Sequence, residues 1–134
     1  MEFGSWKQIP LMGKAAAENV QYISTGRLYK TEDFQTLTPV EMPDGGTVTD
    51  LYAYDWENGR LIYALSNVKN EDGTYTATVY LLGDTVTAVI SHTAQSPALS
   101  LARHGMYLYL GHGGSASFED TGTVIRLSIL SRLF

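Results

Sequence analysis

Three histidines are the residues best suited to bind a metal ion or to move a proton: His92, His104 and His112. A zinc site needs several such ligands around one ion, with a carboxylate as a common third member. His104 and His112 lie on either side of a predicted hairpin, so their side chains could face each other. Two histidines placed in turns are the simpler interpretation, and we expect no metal site and no cofactor.

Residues 111–115 (GHGGS) have the glycine content of a phosphate-binding loop. Such a loop needs a helix that begins directly after it, because the helix N-terminus holds the anion. Here a strand pattern over residues 122–130 follows, which favours an ordinary hairpin loop. The chain also has no Gly-x-Ser-x-Gly or His-Glu-x-x-His motif and no recognisable nucleophile–base pair. We therefore predict that the protein is not an enzyme.

Aromatic side chains are candidates for contacts with a partner. Trp6, Trp56 and Tyr54 could stack on sugar rings or pack between strands. Trp56 stands between two acidic residues in a predicted turn, which makes it the strongest candidate for an exposed contact residue.

The end of the chain carries a second set of predicted interaction residues. Its apolar side chains form either an ordinary last strand or a docking tail that adds a strand to a neighbour's sheet. The set consists of Ile129, Leu130, Leu133 and Phe134.

Strand patterns position these candidates along nearly the whole chain. Within residues 47–92, β-type segments cover 47–55, 60–65, 74–82 and 85–90, and short turn signals such as Asn58-Gly59 separate them. Four antiparallel strands in about 46 residues match one β-propeller blade. Residues 14–19 contain three alanines and predict a single short turn of helix.

The pattern recurs imperfectly on both sides of this segment. A turn-plus-strand motif appears as GRLY at Gly26, GRLIY at Gly59 and GMYLY at Gly105, with spacings of 33 and 46 residues. We predict one all-β domain, residues 1–134, built from antiparallel meanders that resemble about three blades, at 5–46, 47–93 and 94–134. A β-sandwich or a small barrel is the alternative.

Residues 26–42 (GRLYKTEDFQTLTPVEM) carry a family resemblance. They resemble blades of the BNR/Asp-box propellers, the group of sialidases and sortilin-type domains, whose pattern is Ser-x-Asp-x-Gly-x-Thr-Trp. Asp33 matches that pattern, Thr31 replaces serine and Gln35 replaces the glycine. Thr36 and Leu37 stand for the threonine and the tryptophan, one position earlier than the pattern places them, and Leu37 replaces the aromatic residue. The resemblance implies a structural turn in which the Asp33 carboxylate accepts backbone N–H groups.

Sialidases grip a substrate carboxylate with several arginines, and Arg27 and Arg60 follow matching glycines, with Tyr29 and Tyr63 close by. Met106 replaces the arginine in the third copy. About three blades are too few to build the central cleft of such an enzyme, so a degenerate glycosidase fragment is the weakest interpretation.

The amino-acid composition argues against several classes of function. Charged residues make up 17% of the chain, below the usual share of about 25%, which leaves a surface poorly protected against association. The net charge of -5 and the lack of a basic cluster argue against nucleic acid. We see no membrane-spanning run and no signal peptide, and the chain contains no cysteine.

These observations favour a non-enzymatic structural or assembly protein. We expect a virion component (a phage tail, neck or decoration protein) that forms a homo-oligomer or binds other virion proteins through its β-strands. The alternative is a lectin-like carbohydrate-binding module whose propeller is completed by oligomerisation. A virion location is expected, with a cytoplasmic or extracellular one as the alternative.

Overall fold

The computed structural model describes residues 13–17, 20–57, 59–113 and 123–129. This part of the chain is all-β, as predicted, and has eleven strands and no helix. No helix there could cross a membrane. The strands are β1 (Gly13–Ala17), β2 (Val20–Ser24), β3 (Leu28–Thr31), β4 (Thr38–Val40), β5 (Thr47–Trp56), β6 (Gly59–Lys69), β7 (Tyr75–Leu82), β8 (Val86–Ala94), β9 (Ala98–His104), β10 (Tyr107–His112) and β11 (Thr123–Ser128).

Three antiparallel sheets follow one another along the chain. Sheet A contains β1 to β4, sheet B contains β5 to β8 and sheet C contains β9 to β11, and within each sheet every strand pairs with its neighbour in sequence. Their limits lie close to the predicted units 5–46, 47–93 and 94–134. No sheet closes on itself, so the described strands do not form the small barrel that was one alternative.

The helical turn predicted at residues 14–19 is wrong. Gly13–Ala17 instead forms β1, which pairs with β2 in a continuous register from Gly13 opposite Ser24 to Ala17 opposite Val20. A helix of one or two turns is unstable in water even when it is rich in alanine. Here β2 offers backbone hydrogen bonds over the same residues, and tertiary pairing overrides the local preference.

The glycine of each repeated turn motif has a left-handed backbone, with φ of 100° at Gly26, 137° at Gly59 and 59° at Gly105. Gly59 begins the second strand of sheet B and Gly105 precedes the second strand of sheet C, whereas Gly26 precedes the third strand of sheet A. The first copy of the motif therefore lies one strand later in its sheet than the other two copies do in theirs. This displacement explains why the spacing of the motif is uneven.

Sheet B lies between the other two sheets and is buried on both faces. On β6, Ile62 and Ala64 belong to a core cluster with Leu28 of sheet A, while Tyr63 and Leu65 belong to a cluster with Leu108, Leu110 and Leu101 of sheet C. Successive side chains of a strand point to opposite faces. The continuous apolar run of β6 therefore fills two cores at once.

Sheet A packs on sheet B in the same way as sheet B packs on sheet C, and we call this repeated contact the stacking step. The first strand of sheet A lies against the first strand of sheet B, and the first strand of sheet B lies against that of sheet C. In both steps, the second strand of the earlier sheet also contacts the first strand of the later one.

Hydrogen bonds fasten each of these steps. Ser24 Oγ donates to the Val48 carbonyl at the first step, and the Leu101 N–H donates to Asp50 Oδ2 at the second. Each bond links the first strand of one sheet with the preceding sheet.

Candidate functional site

The face of sheet C that points away from sheet B carries a concentration of exposed apolar side chains. Leu108 and Leu110 of β10 face the core, so Tyr107 and Tyr109 point to the opposite side. Cross-strand pairing places Arg126 beside Tyr109 and Val124 beside Gly111 on that same side. We call this surface the outer face of sheet C.

Three of the five strongly exposed large apolar side chains in the described part lie on sheet C: Val124 at 70%, Leu99 at 48% and Tyr107 at 37%. Leu99 and Val124 line one shallow pocket of about 290 Å³ together with Gly111. Scattered single hydrophobic residues on a surface are normal, whereas a group of them marks an interaction site.

Gly111 and Arg126 add two features to this face. A side chain at Gly111, between β9 and β11, would collide with Ser100 Oγ. The guanidinium of Arg126 stacks on the ring of Tyr107 at 4.6 Å. The outer face of sheet C therefore combines exposed apolar side chains with a cation that is held against an aromatic ring.

The residues that the sequence predicted to contact a partner do not form one group in the structure. Trp56 is 46% exposed at the β5–β6 turn, on a different sheet from the outer face of sheet C. Ile129 is only 8% exposed and packs in the core between sheets B and C. Ile129 thus has a packing role in this chain, and its use in an interface stays a prediction. Trp6, Leu130, Leu133 and Phe134 lie outside the described residues.

The turn between β3 and β4 has the hydrogen bonds that the Asp-box resemblance implies for Asp33. Its Oδ1 accepts the backbone N–H groups of Thr36 and Gln35, both at 2.9 Å, and the Thr31 hydroxyl at 3.2 Å. These N–H groups, first that of Thr36 and then that of Gln35, lower the pKa of Asp33. The residue of this turn with a left-handed backbone is Phe34 (φ 62°).

The arginines do not build a carboxylate-binding site. Arg27 pairs with Glu41 at 2.9 Å on sheet A, and Arg60 pairs with Asp55 on sheet B. The predicted neighbours follow the same division: Tyr29 lies beneath Arg27, whereas Tyr63 is buried and accepts a hydrogen bond from Arg103. Among the described residues, each of the two arginines already has a carboxylate partner.

His104 and His112 do not face each other across the hairpin, which was one of the two alternatives for these residues. His104 and His112 lie at opposite ends of the β9–β10 hairpin, because Tyr107 pairs with His104 while His112 pairs with Ala98. The structure instead brings His92 of β8 to His112, with ring centres 5.8 Å apart. No pattern in the sequence indicates this pair, because it depends on which strands pack on the same core.

A cleft of about 460 Å³ lies between sheets A and B, and sequence reasoning missed it. Burial, and next the negative charge of Asp84, raise the pKa of the Tyr22 phenol in its wall. The lining combines two cations and two carboxylates around the phenol and short apolar surfaces: Val20, Tyr22, Lys30, Glu32, Arg60, Leu82, Gly83 and Asp84.

Comparison with known proteins adds no relative to this picture. No protein-family model matches the chain, and neither a curated protein nor a solved structure is significantly similar to it. The residues and the geometry therefore carry the functional argument alone.

Proposed function

We propose that this protein is a non-enzymatic assembly protein that acts by joining copies of itself through its β-sheets. One observation carries the proposal: the stacking step that places sheet A on sheet B and sheet B on sheet C ends at an exposed apolar face. Leu99, Tyr107 and Val124 lie on sheet C, where a further sheet would continue the series.

The occupant we propose for the outer face of sheet C is sheet A of a second copy. In the described part, sheet A packs broadly on sheet B alone, so its other side is available for the same step. Two copies related by a two-fold axis would then form a closed ring of six sheets. Six is within the range of about four to eight blades found in β-propellers. The Asp33 turn supports this propeller architecture, since it lies between the third and fourth strands of sheet A.

Physical chemistry favours such an association. A specific interface buries about 1,200–2,000 Å² in total, and aromatic residues and arginine are enriched at its centre. The outer face of sheet C offers Tyr107, Tyr109 and Val124 with Arg126 as its one cation. A chain with only 17% charged residues also has few charged groups that an interface would have to desolvate.

We propose a virion as the setting for this assembly. A small protein with few charges, β-strands throughout and a surface suited to self-association fits a tail, neck or decoration component of a phage particle. Other virion proteins would then bind the sheet edges that remain, such as the outer strand β8 of sheet B.

Light scattering at two protein concentrations tests the association. We expect twice the monomer mass of 14.7 kDa for the wild-type protein. Val124→Glu and Leu99→Glu place a charge on the outer face of sheet C and should give monomers with an unchanged far-UV spectrum. Thr87→Glu, at an exposed position of β8, is the matched control and should leave the dimer intact. A monomeric wild-type protein at both concentrations would refute the proposal, as would a dimer that survives Val124→Glu together with Leu99→Glu.

The cleft between sheets A and B favours a second function, carbohydrate binding. Lys30 and Arg60 can donate hydrogen bonds to sugar hydroxyls, and Glu32 and Asp84 can accept them, next to the phenol of Tyr22. Trp56, exposed on sheet B, offers a ring for stacking. A glycan array on wild-type protein, Tyr22→Ala and Trp56→Ala tests this function. Binding that either substitution abolishes would support it, and the lack of any binding would rule it out.

A further inference from the structure

The core between sheets B and C ends in polar side chains. On sheet B, cross-strand pairing sets Asn67, Ala77 and His92 side by side, and on sheet C it sets His112 beside Ala98. The rings of His92 and His112 meet across the two sheets, with their centres 5.8 Å apart and their planes at 71°.

The hydrogen bond of His112 determines which of its ring nitrogens is left for a ligand. Its Nδ1 lies 2.8 Å from the carbonyl oxygen of Ser96. A carbonyl can only accept, so Nδ1 carries a proton and donates it, and Nε2 is the ring nitrogen that a ligand could use. The residue is 5% exposed, and its buried Nε2 has no hydrogen-bond partner among the residues that the structure describes.

The unsatisfied Nε2 stands out against its neighbour. The buried side chain of Asn67 has partners for both its amide oxygen and its amide nitrogen. Buried polar atoms in proteins nearly always have a partner, and an ion or a water molecule can supply one where the protein does not.

His112 shares one feature with histidines that bind metal ions. Histidines that bind metal ions usually donate their other ring N–H to a carbonyl or a carboxylate, as His112 does to Ser96. Two Zn–N bonds of about 2.0–2.1 Å, one from each ring, would set the ring centres roughly 5–6.5 Å apart. The observed 5.8 Å separation of His92 and His112 falls within this range.

We propose that His92 and His112 form a two-histidine site for a divalent transition-metal ion between sheets B and C. In the described part, no group of three or more His, Cys, Asp or Glu side chains is placed to hold a metal. Water therefore completes the coordination. Imidazole ligands select zinc, copper or nickel over magnesium and calcium, which prefer oxygen. His92 is only partly buried, which gives the ion a route to the site.

Thermal unfolding of the full chain with zinc, nickel or magnesium chloride tests the site, because an ion that binds only the folded state raises Tm. We expect zinc and nickel to raise the Tm of the wild-type protein and magnesium to leave it unchanged. The exposed His104 supplies the matched control, so His104→Gln should keep the zinc response and His92→Gln should lose it. His92→Gln is the main variant because a substitution of the buried His112 could prevent folding.

Two-dimensional NMR of the histidine rings gives a second readout on the unaltered protein. Zinc should shift the ring signals of His92 and His112 and leave those of His104 in place. The proposal would be overturned by a wild-type Tm that zinc does not change, by an equal response to magnesium, or by a zinc response that persists in His92→Gln.

Discussion

Asn67 joins sheet B to sheet C by side-chain hydrogen bonds, and we expect its substitution to destabilise the contact between the two sheets. It is 6% exposed on β6 and bonds the main chain of Ala98, the first residue of sheet C. Its Oδ1 accepts the Ala98 N–H at 2.8 Å, and its Nδ2 donates to the Ala98 carbonyl at 2.8 Å and to Thr49 Oγ1 at 3.1 Å. Asn67→Ala removes all three bonds.

The loss of stability expected for Asn67→Ala depends on which polar groups still have a hydrogen-bond partner in the variant. The Ala98 carbonyl still accepts the Thr49 hydroxyl at 2.7 Å, whereas the Ala98 N–H loses its acceptor at a residue with 0% exposure. An unsatisfied buried donor costs about 1–3 kcal/mol, and each lost hydrogen bond contributes about 0.5–1.5 kcal/mol. We expect Asn67→Ala to lower the free energy of unfolding by about 2–4 kcal/mol.

Urea denaturation at one fixed protein concentration measures this loss as a shift of the midpoint at constant slope. Asn70→Ala is the control, because Asn70 Nδ2 donates only to the hydroxyls of Thr74 and Thr76 beside its own turn. Those hydroxyls can turn towards water, so we expect a loss of at most about 1 kcal/mol. A loss below about 1 kcal/mol for Asn67→Ala, or equal losses for the two variants, would refute the reasoning.

Three further substitutions test the packing and the turn. Gly46→Ala would place a Cβ 2.6 Å from the Asn67 carbonyl oxygen, so urea denaturation should show a loss of about 1–3 kcal/mol, whereas Gly83→Ala, whose nearest atom is 3.8 Å away, should change little. Leu110→Ala empties a fully buried core position, and the same assay should show a loss of about 2–5 kcal/mol. The backbone N–H groups of the turn between β3 and β4 lower the pKa of Asp33. The contribution of Asp33 to the stability of the protein is therefore present above its unfolded-state pKa, and it is lost as the pH falls through its folded-state pKa. An NMR titration should show an Asp33 midpoint below that of an unfolded aspartate, and Asp33→Asn should reduce the acid dependence of Tm.

Each of these predictions has an outcome that contradicts it. Equal stabilities of the Gly46 and Gly83 variants would mean that the chain near Asn67 adapts without strain. A loss under about 1 kcal/mol for Leu110→Ala would place that side chain outside the core. An Asp33 midpoint at or above the unfolded value would mean that the turn hydrogen bonds do not persist in solution.

Local patterns sufficed to predict most of sheet B. The alternation of Thr, Tyr and Val in residues 74–82 and the turn at Gly59 place β5, β6, β7 and β8 nearly where they lie. The Asp33 turn is equally local, since all its hydrogen bonds join residues within three positions of each other. Such features depend on side-chain alternation and backbone conformation, which neighbouring residues largely determine.

Features that depend on distant residues could not be predicted. The three alanines near residue 15 favour a helix locally, and only pairing with β2 makes them a strand. The motif at Gly26 reads like the one at Gly59, yet it opens a different strand of its sheet. The pairing of His92 with His112 joins two sheets, and no spacing in the sequence indicates which core faces they share.

The all-β class, the hairpins and the turn chemistry could be predicted from the sequence, because they depend on side-chain alternation, glycine conformation and hydrogen bonds between close neighbours. Which sheet faces pack together became known only from the fold. That choice places Leu99 and Val124 on an outer face and buries Nε2 of His112 between two sheets. The physical reason is that burial and packing sum contacts between residues far apart in the chain, which no local pattern contains.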